Sequence, residues 1–508
     1  MQTPPGWRQT LTSCWVFPAA ILWKLVLIGA ASLPPPGNDA FFFDGAVAQW
    51  LRGGAYVNPS IVRVFPTSGG EFFSAYPPFY QAVLAAWMSV CGTSAWSSQW
   101  LHGGLFAVFA LLTLAVLRRL GAPATAVNVG GLFLFGLTFH DRPDSVAHVV
   151  GLLALYAWMR AADAGASAAR WRGAAAALIV LTVATSLHIG AMYAAMLWVH
   201  AALRSRREAW PWRPMLAMVL VPAGLGAAVA FGWPRAWQGF SENLLATPSF
   251  TGYRLPAVED ILKIGRTVPG VLLIAGVGMV LAVRRPRAVV GGEVLPAADV
   301  FGAVLVAAGF AAVATLVVVA PNYVHVVAYP QVLVVALFVW LVLPELAVSR
   351  MGRWVRPALL GAAALVSIRA VGLSTWGVAC AVDVSRTEAT VRVRRAIDGL
   401  PKDSAALVSS AYLYDLVGER RVTCLHADWV GRFGEGEGAF RPACLVLTSY
   451  DYHRRYARTL AELAARGRVT VVGVEQAGRV PPPDGFPRWQ RVVQHLSWAP
   501  VIVRVEWH

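Results

Sequence analysis

The chain has 508 residues, 57% of them hydrophobic and only 14% charged, a balance too apolar for a water-soluble enzyme of this length. Its formal charge of +16 rests largely on arginines in short segments between apolar runs, where basic residues set membrane orientation. With no zinc-finger spacing and no basic run interleaved with stacking aromatics, nothing points to nucleic acid as a partner.

Taken in order, the apolar runs predict membrane spans at roughly 11–33, 98–117, 123–139, 143–160, 171–187, 188–203, 214–232, 267–283, 298–320, 328–347 and 357–377, about eleven in all. The first run holds Lys24 and lacks a small-residue cleavage site before Pro34-Pro35-Pro36, so it reads as a retained helix. Lys24 and Arg369, inside apolar runs, read as snorkelling cations or as partners of buried acids.

Residues 34–97 form a long first loop. Asn38 or Asp39 is placed to cap a short helix that ends at Gly53-Gly54, and Pro77-Pro78 open another. Residues 79–92 are apolar but short, which predicts an interfacial or re-entrant helix rather than a further span.

Between the third and fourth spans lies the turn His140-Asp141-Arg142-Pro143-Asp144. Acids at membrane depth are costly, which makes Asp144 a functional candidate as well as a helix cap. His140 and His148 stand one helical turn either side of Asp144, but three ligands on one short stretch make no metal motif; no metal site or other cofactor is indicated. The loop 233–266 concentrates cations and a tyrosine, Arg235, Tyr253, Arg254, Lys263 and Arg266, with Tyr323 and His325 in the following turn. Arginine pairs bidentately with phosphate oxygens, although interfacial cations also hold ordinary anionic headgroups.

The basic connections, Arg118/Arg119, Arg160/Arg170/Arg172, Arg204/Arg206/Arg207/Arg213, Arg284/Arg285/Arg287 and Arg350/Arg353/Arg356, all fall on one side, which the positive-inside rule makes cytoplasmic. The expectation is a multi-pass protein of the inner (plasma) membrane with a cytoplasmic N-terminus. Residues 379–508 lack a spanning run and read as an extracytoplasmic domain. Short apolar runs at 405–408, 443–447 and 469–474 alternate with helical patterns at 390–400 and 452–466, as in a small α/β module. It contains neither a P-loop nor a dinucleotide fingerprint, and Asp415, His426 and Asp428 read as surface polar residues. Of the five cysteines, Cys380, Cys424 and Cys444 fall in this region, where export would permit one disulfide.

The order Asp39, Gly53-Gly54, Tyr76-Pro77-Pro78, Gly92 and Arg142-Pro143-Asp144 resembles the GT-C membrane glycosyltransferases, in particular the protein O-mannosyltransferase and lipid A aminoarabinose transferase branch. Motif-level resemblance covers about the first 160 residues; beyond them it rests on layout, including the Pro321-Asn322-Tyr323-Val324-His325 turn. The resemblance implies a mainly α polytopic fold over residues 1–378, with its catalytic loop at 34–97, and a polyprenyl-phosphate sugar as donor. It carries the acidic base or charge stabiliser over to Asp39, fourteen residues ahead of Gly53. Asp44 is the rival, because Ala40 stands where the family commonly has a second acid.

The expected function is inverting transfer of that sugar, at the outer face, to a hydroxyl of a lipid, glycan or protein. Asp39, Asp44 and Asp144 are the candidate catalytic carboxylates. Arg254, Tyr253, Lys263, Arg266, Tyr323 and His325 are the candidate donor-phosphate ligands, with Arg254 preferred for its place beside Tyr253. A lipid-linked-sugar transporter or flippase is the alternative, weakened by the absence of paired interrupted helices. A membrane acyl- or phospho-transferase would ask for an intramembrane histidine or a metal cluster, and a non-catalytic scaffold would leave the acids without a role.

Overall fold

In the computed structural model, the described residues are 7–31, 40–62, 65–137, 142–163, 165–205, 210–251, 295–314, 328–344, 352–381, 386–425, 441–448, 452, 459–461, 463–464, 468–476 and 499–508. Among them, helices underlie ten of the expected spans, and the run at 267–283 lies outside the described residues. Three are long and apolar enough to cross a bilayer by length and composition: Ala95–Arg119, Pro143–Ala162 and Trp212–Gly232. Residues Val16–Gly29, Ala124–Gly136, Ala297–Gly309, Gln331–Leu341 and Leu360–Gly372 form shorter apolar stretches.

The expected first span is two helices, α1 (Trp7–Ser13) and α2 (Val16–Ala31). Asn128 bridges the break: its carboxamide accepts from Val16 N–H at 3.3 Å and donates to the Ser13 carbonyl at 2.9 Å. Phe17 and Ile28 on α2 are buried, so this helix is part of the main core.

The first loop folds into α3 (Ala40–Leu51), α4 (Pro66–Gly70) and α5 (Phe79–Cys91). Where α3 ends, Gly53 takes φ +86°, Gly53 N–H reaches the Trp50 carbonyl and Gly54 N–H the Gln49 carbonyl, a Schellman closure that only glycine adopts without strain. Tyr80, Gln81, Leu84 and Met88 line one buried face of α5 while Ser89 and Val90 are exposed, which makes it amphipathic, as expected for 79–92. Thirteen residues is too short to span.

The bundle continues with α6 (Ala95–Arg119), α7 (Ala124–Leu132), α8 (Pro143–Asp163), α9 (Ala168–Val183), α10 (Leu187–Arg204), α11 (Trp212–Gly232) and α12 (Pro234–Thr251). After these come α13 (Leu295–Ala314), α14 (Gln331–Leu341), α15 (Gly352–Ala381) and α16 (Arg386–Asp398). α14 is buried on all sides from Gln331 to Phe338 and forms the centre of the bundle, against α7, α13 and α6. Its close approach to α7 requires Gly130, where a Cβ would lie 2.6 Å from the Val332 carbonyl oxygen. α11 lies at the periphery: 11% of its apolar window is buried, against 67% for α8, so its surface suits lipid.

The C-terminal module is a five-stranded sheet ordered β2-β1-β3-β5-β4, from β1 (Ala405–Ser409), β2 (Val422–Leu425), β3 (Pro442–Thr448), β4 (Val469–Gln476) and β5 (Pro500–Trp507). β1 runs parallel to β2 and β3, and β5 pairs antiparallel with β3 and β4. Period-two alternation sends the sheet's two faces to different partners. Ala406, Val408, Cys444, Val446 and Ile502 pack on Val393 and Ile397 of α16. Leu407, Leu445, Leu447, Val501 and Val503 join one buried cluster with Phe42, Phe43, Tyr80 and Leu84 of the first loop. Cys444 is buried as a free thiol, which removes it from the expected disulfide among Cys380, Cys424 and Cys444.

α12 returns to the same loop. Ser68 donates to the Gly239 carbonyl at 3.1 Å, Asn243 to the Ala75 carbonyl at 2.8 Å, and Arg235 pairs with Glu71 at 3.2 Å.

Candidate active site

Asp44 sits within α3, fully buried. Three hydroxyls from three different elements donate to it: Tyr80 of α5 to Oδ1 at 2.7 Å, Ser98 of α6 to Oδ2 at 2.9 Å, and Tyr414 of the C-terminal module to Oδ2 at 2.5 Å. An ionised carboxylate only accepts, so an all-hydroxyl shell matches its chemistry and replaces the water lost on burial. Tyr414 lies in the 3₁₀ turn Ser410–Asp415, at the carboxyl end of β1. Arg52, just past α3, holds that turn from the other side, donating to the Tyr414 carbonyl and the Thr93 carbonyl, both at 2.9 Å. Gly45 lets the chain pass Asn58, for a Cβ there would lie 2.8 Å from Asn58 Nδ2.

From Asp44 the network runs toward the second acid. Tyr80 Oη lies 3.2 Å from His102 Nε2, and His102 Nδ1 lies 2.9 Å from Ser145 Oγ. With Tyr80's proton directed to Asp44, Nε2–H is the donor to the tyrosine oxygen, and in the neutral ring Nδ1 accepts from Ser145. The Ser145 hydroxyl carries one proton, for which the Arg142 carbonyl, also at 2.9 Å, competes with Nδ1. Arg142 Nε stands 3.2 Å from Asp144 Oδ2, with both side chains largely buried, and its guanidinium lies 6.0 Å over the ring of Phe43, the neighbour of Asp44. On the other Asp144 oxygen, His188 Nε2 approaches to 3.8 Å from the first turn of α10, with 42% of its side chain exposed. Asp44, Asp144, one arginine and two histidines thus form a single connected ensemble at one end of the bundle.

Asp144 occupies the first turn of α8, where the helix dipole favours an acid, and is buried with Arg142 beside it. The His148 ring stacks on Tyr329 at 4.0 Å and 11°, and Nδ1 lies 3.4 Å from Tyr193 Oη. Among the described residues no group of three or more His, Cys, Asp or Glu side chains is placed to hold a metal ion.

Of the expected site residues, Asp44 and Asp144 stand at the two ends of this network. Asp39, Arg254, Tyr253, Lys263, Arg266, Tyr323 and His325 lie outside the described residues, as do His140 and Asp141. The sequence reading gave no role to Ser98, His102, Ser145, His188 or Tyr414. His102 had a usable signal, being an ionisable residue inside an apolar span; Ser145 adjoins Asp144, and Tyr414 had none. Burial pushes the Tyr56 phenol above its ordinary range and the Glu242 carboxyl upward, the latter opposed by backbone N–H groups of Ser68 and Thr67.

No family model and no curated protein matches the chain. Among solved structures it is similar to the crystal structure of ArnT from Cupriavidus metallidurans bound to undecaprenyl phosphate, at 16% identity and a TM-score of 0.49, over 96% of this chain and 97% of that one.

Proposed function

We propose that this chain is a membrane glycosyltransferase that moves a sugar from a polyprenyl-phosphate carrier to a hydroxyl acceptor, with inversion. The observation that supports it most is the buried connection from Asp44 through Tyr80, His102 and Ser145 to Arg142 and Asp144. It joins acids from separate stretches of chain, with a guanidinium and the half-exposed His188 beside them. The motif order of the first loop supplies the reaction class.

In the reaction, the acceptor O–H gives its proton to a carboxylate while its oxygen attacks the anomeric carbon. The bond from that carbon to the phosphate oxygen breaks, and the electron pair leaves with the phosphate. A phosphate leaves readily, so the protein needs a base and positive charge near the departing oxygens rather than a general acid. Asp39 is the proposed base. It immediately precedes α3 in sequence, and Asp44 fixes α3 through its three hydroxyl donors. With both its oxygens engaged, Asp44 acts as a positioning residue. Arg142 and His188 are proposed to face the donor phosphate, with Arg254, Tyr253, Lys263, Arg266, Tyr323 and His325 as further ligands from the outer loops.

The test uses the full chain in detergent with a polyprenyl-phosphate sugar and a panel of lipid, glycan and peptide acceptors. Donor consumption should require an acceptor, vanish in Asp39→Asn, and fall in Asp44→Asn mainly through kcat. Undiminished turnover in both variants would reject the assignment of the acids, and lipid-linked sugar crossing vesicles without cleavage would make the chain a transporter.

A further inference from the structure

α10 leaves the carboxylate end of the bundle at His188, and α11 runs back toward it. With 11% of its apolar window buried, α11 has a surface suited to lipid along its length, and Phe231 in its last turn is 87% exposed. Trp233 then leaves helical geometry at φ −142° and ψ 71°, and α12 starts at Pro234. The chain therefore turns a corner where a lipid-facing helix ends.

Helical periodicity gives α12 three different stripes. Ala236, Gly239 and Asn243 face the first loop: Ala236 and Gly239 are buried, a Cβ at Gly239 would lie 2.2 Å from Ser74 Oγ, and Gly239 and Asn243 bond to Ser68 and Ala75. Arg235, Gln238 and Glu242 form a polar stripe, on which Arg235 and its partner Glu71 are 77% and 54% exposed. Trp233, Trp237 and Phe240 form an aromatic stripe at i, i+4 and i+7, with Trp237 N–H bonded to the Trp233 carbonyl. The Trp237 and Phe240 rings lie 5.7 Å apart, and Trp233 and Trp237 are 49% and 40% exposed.

A second observation identifies what covers the aromatic stripe. Trp96, in the first turn of α6 at the same end of the bundle, is 48% exposed and lies 5.5 Å from the Trp100 ring. Exposed tryptophans where two separate apolar helices begin and end mark the level of lipid headgroups. A helix with aromatic rings along one edge and charge along another lies in that plane. We infer that α12 is an interfacial helix, its aromatic stripe embedded in the headgroup region of the bilayer and its small-residue stripe clasping the first loop. Its partner is the lipid surface. Anchored so, α12 sets the depth of residues 66–75, and Phe65 and Phe73, packed on Phe42 at 5.4 and 6.0 Å, pass that depth to α3. The inference is independent of the transferase reading.

The full chain carrying Cys91→Ser, Cys380→Ser and Cys424→Ser is reconstituted in nanodiscs of phosphatidylethanolamine and phosphatidylglycerol, with a nitroxide attached at Trp233→Cys, Trp237→Cys or Gln238→Cys. Spin-label accessibility is read against oxygen and against a water-soluble nickel chelate. Labels at positions 233 and 237 should lie roughly 5–10 Å below the phosphates, open to oxygen and shielded from nickel. The label at position 238 should be open to nickel. In a parallel arm, the unmodified chain is reconstituted with a phospholipid that carries a diazirine close to its headgroup, and irradiation should leave lipid adducts within residues 231–240. Three results would overturn the proposal: equal nickel access at positions 237 and 238, which would put the aromatic stripe in water; shielding of 233 and 237 from both reagents, which would mean that a second copy of the chain covers them; or no lipid adduct in that stretch. The crosslinking arm is unaffected by any folding defect in the variants.

Discussion

At Asp44, burial and bonding oppose each other in a way that fixes what substitution does. A carboxylate taken wholly out of water is tolerated because three hydroxyls point at it. Asp44→Asn keeps the shape but turns one acceptor into an amide donor that faces hydroxyl donors, so at least one polar group is stranded. The expected loss is about 2–3 kcal/mol, read as a fall in thermal midpoint. Tyr414→Phe removes only one of the donors and leaves two, so it should cost about 1–2 kcal/mol and lower donor turnover without unfolding the chain. A variant with wild-type kcat and Tm would show that the C-terminal module merely rests on the site. Gly151 makes the companion case in the core, where a Cβ would lie 2.3 Å from the Tyr193 ring. Gly151→Ala is expected to displace Tyr193 and destabilise the protein by about 1–3 kcal/mol, even though alanine is the better helix former.

At the scale of elements, legibility followed locality. The helix from Ala40 to Leu51 was readable because its stop signal, Gly53-Gly54, is a local steric requirement. Pro77-Pro78 likewise announced α5. β1, β3 and β4 were readable as apolar runs, but β2 is four residues long, too brief for a period, and β5 passed unread although it pairs with both β3 and β4. The break at Cys14-Trp15 within the first apolar run was invisible, since it is held by Asn128 more than a hundred residues away. The connection of Asp44 to Tyr414 is equally non-local, and no window on the sequence contains both. The placement of β3 has a chemical consequence. Cys444 faces α16, and burial pushes its thiol up to about 12. Only the thiolate reacts, so at pH 8 this residue should resist a thiol reagent until the chain is denatured. Folding favours the protonated form, so this group withdraws stability as pH rises above its unfolded value near 8.5. Modification of Cys444 in the native protein at pH 8 would show that the sheet does not close on α16.

For the whole molecule, α3, α12, the Arg142–Asp144 turn and the C-terminal module, which was expected to be extracytoplasmic, converge at one end, where all meet the first loop or its network. The arginine-rich ends of α6, α8 and α10 lie opposite, since each of these helices starts at the carboxylate end with Ser98, Asp144 or His188. The positive-inside rule predicts a bilayer between the two ends, with the carboxylates outside. Cys91 tests that orientation directly. It is exposed at the end of α5, two residues before Thr93, which Arg52 ties to the Tyr414 turn. Leu203, 46% exposed near the basic end of α10, is its counterpart on the other side. In a chain carrying Cys380→Ser and Cys424→Ser, Cys14 and Cys444 are buried, which leaves Cys91 to react. A membrane-impermeant maleimide applied to cells with a permeabilised outer envelope should then label Cys91, while Leu203→Cys in a Cys91→Ser background should label only after the inner membrane is opened. The reverse pattern would put both acids on the cytosolic face, where a donor presented from the outer leaflet could not reach them, and the transferase reading at that face would have to be abandoned.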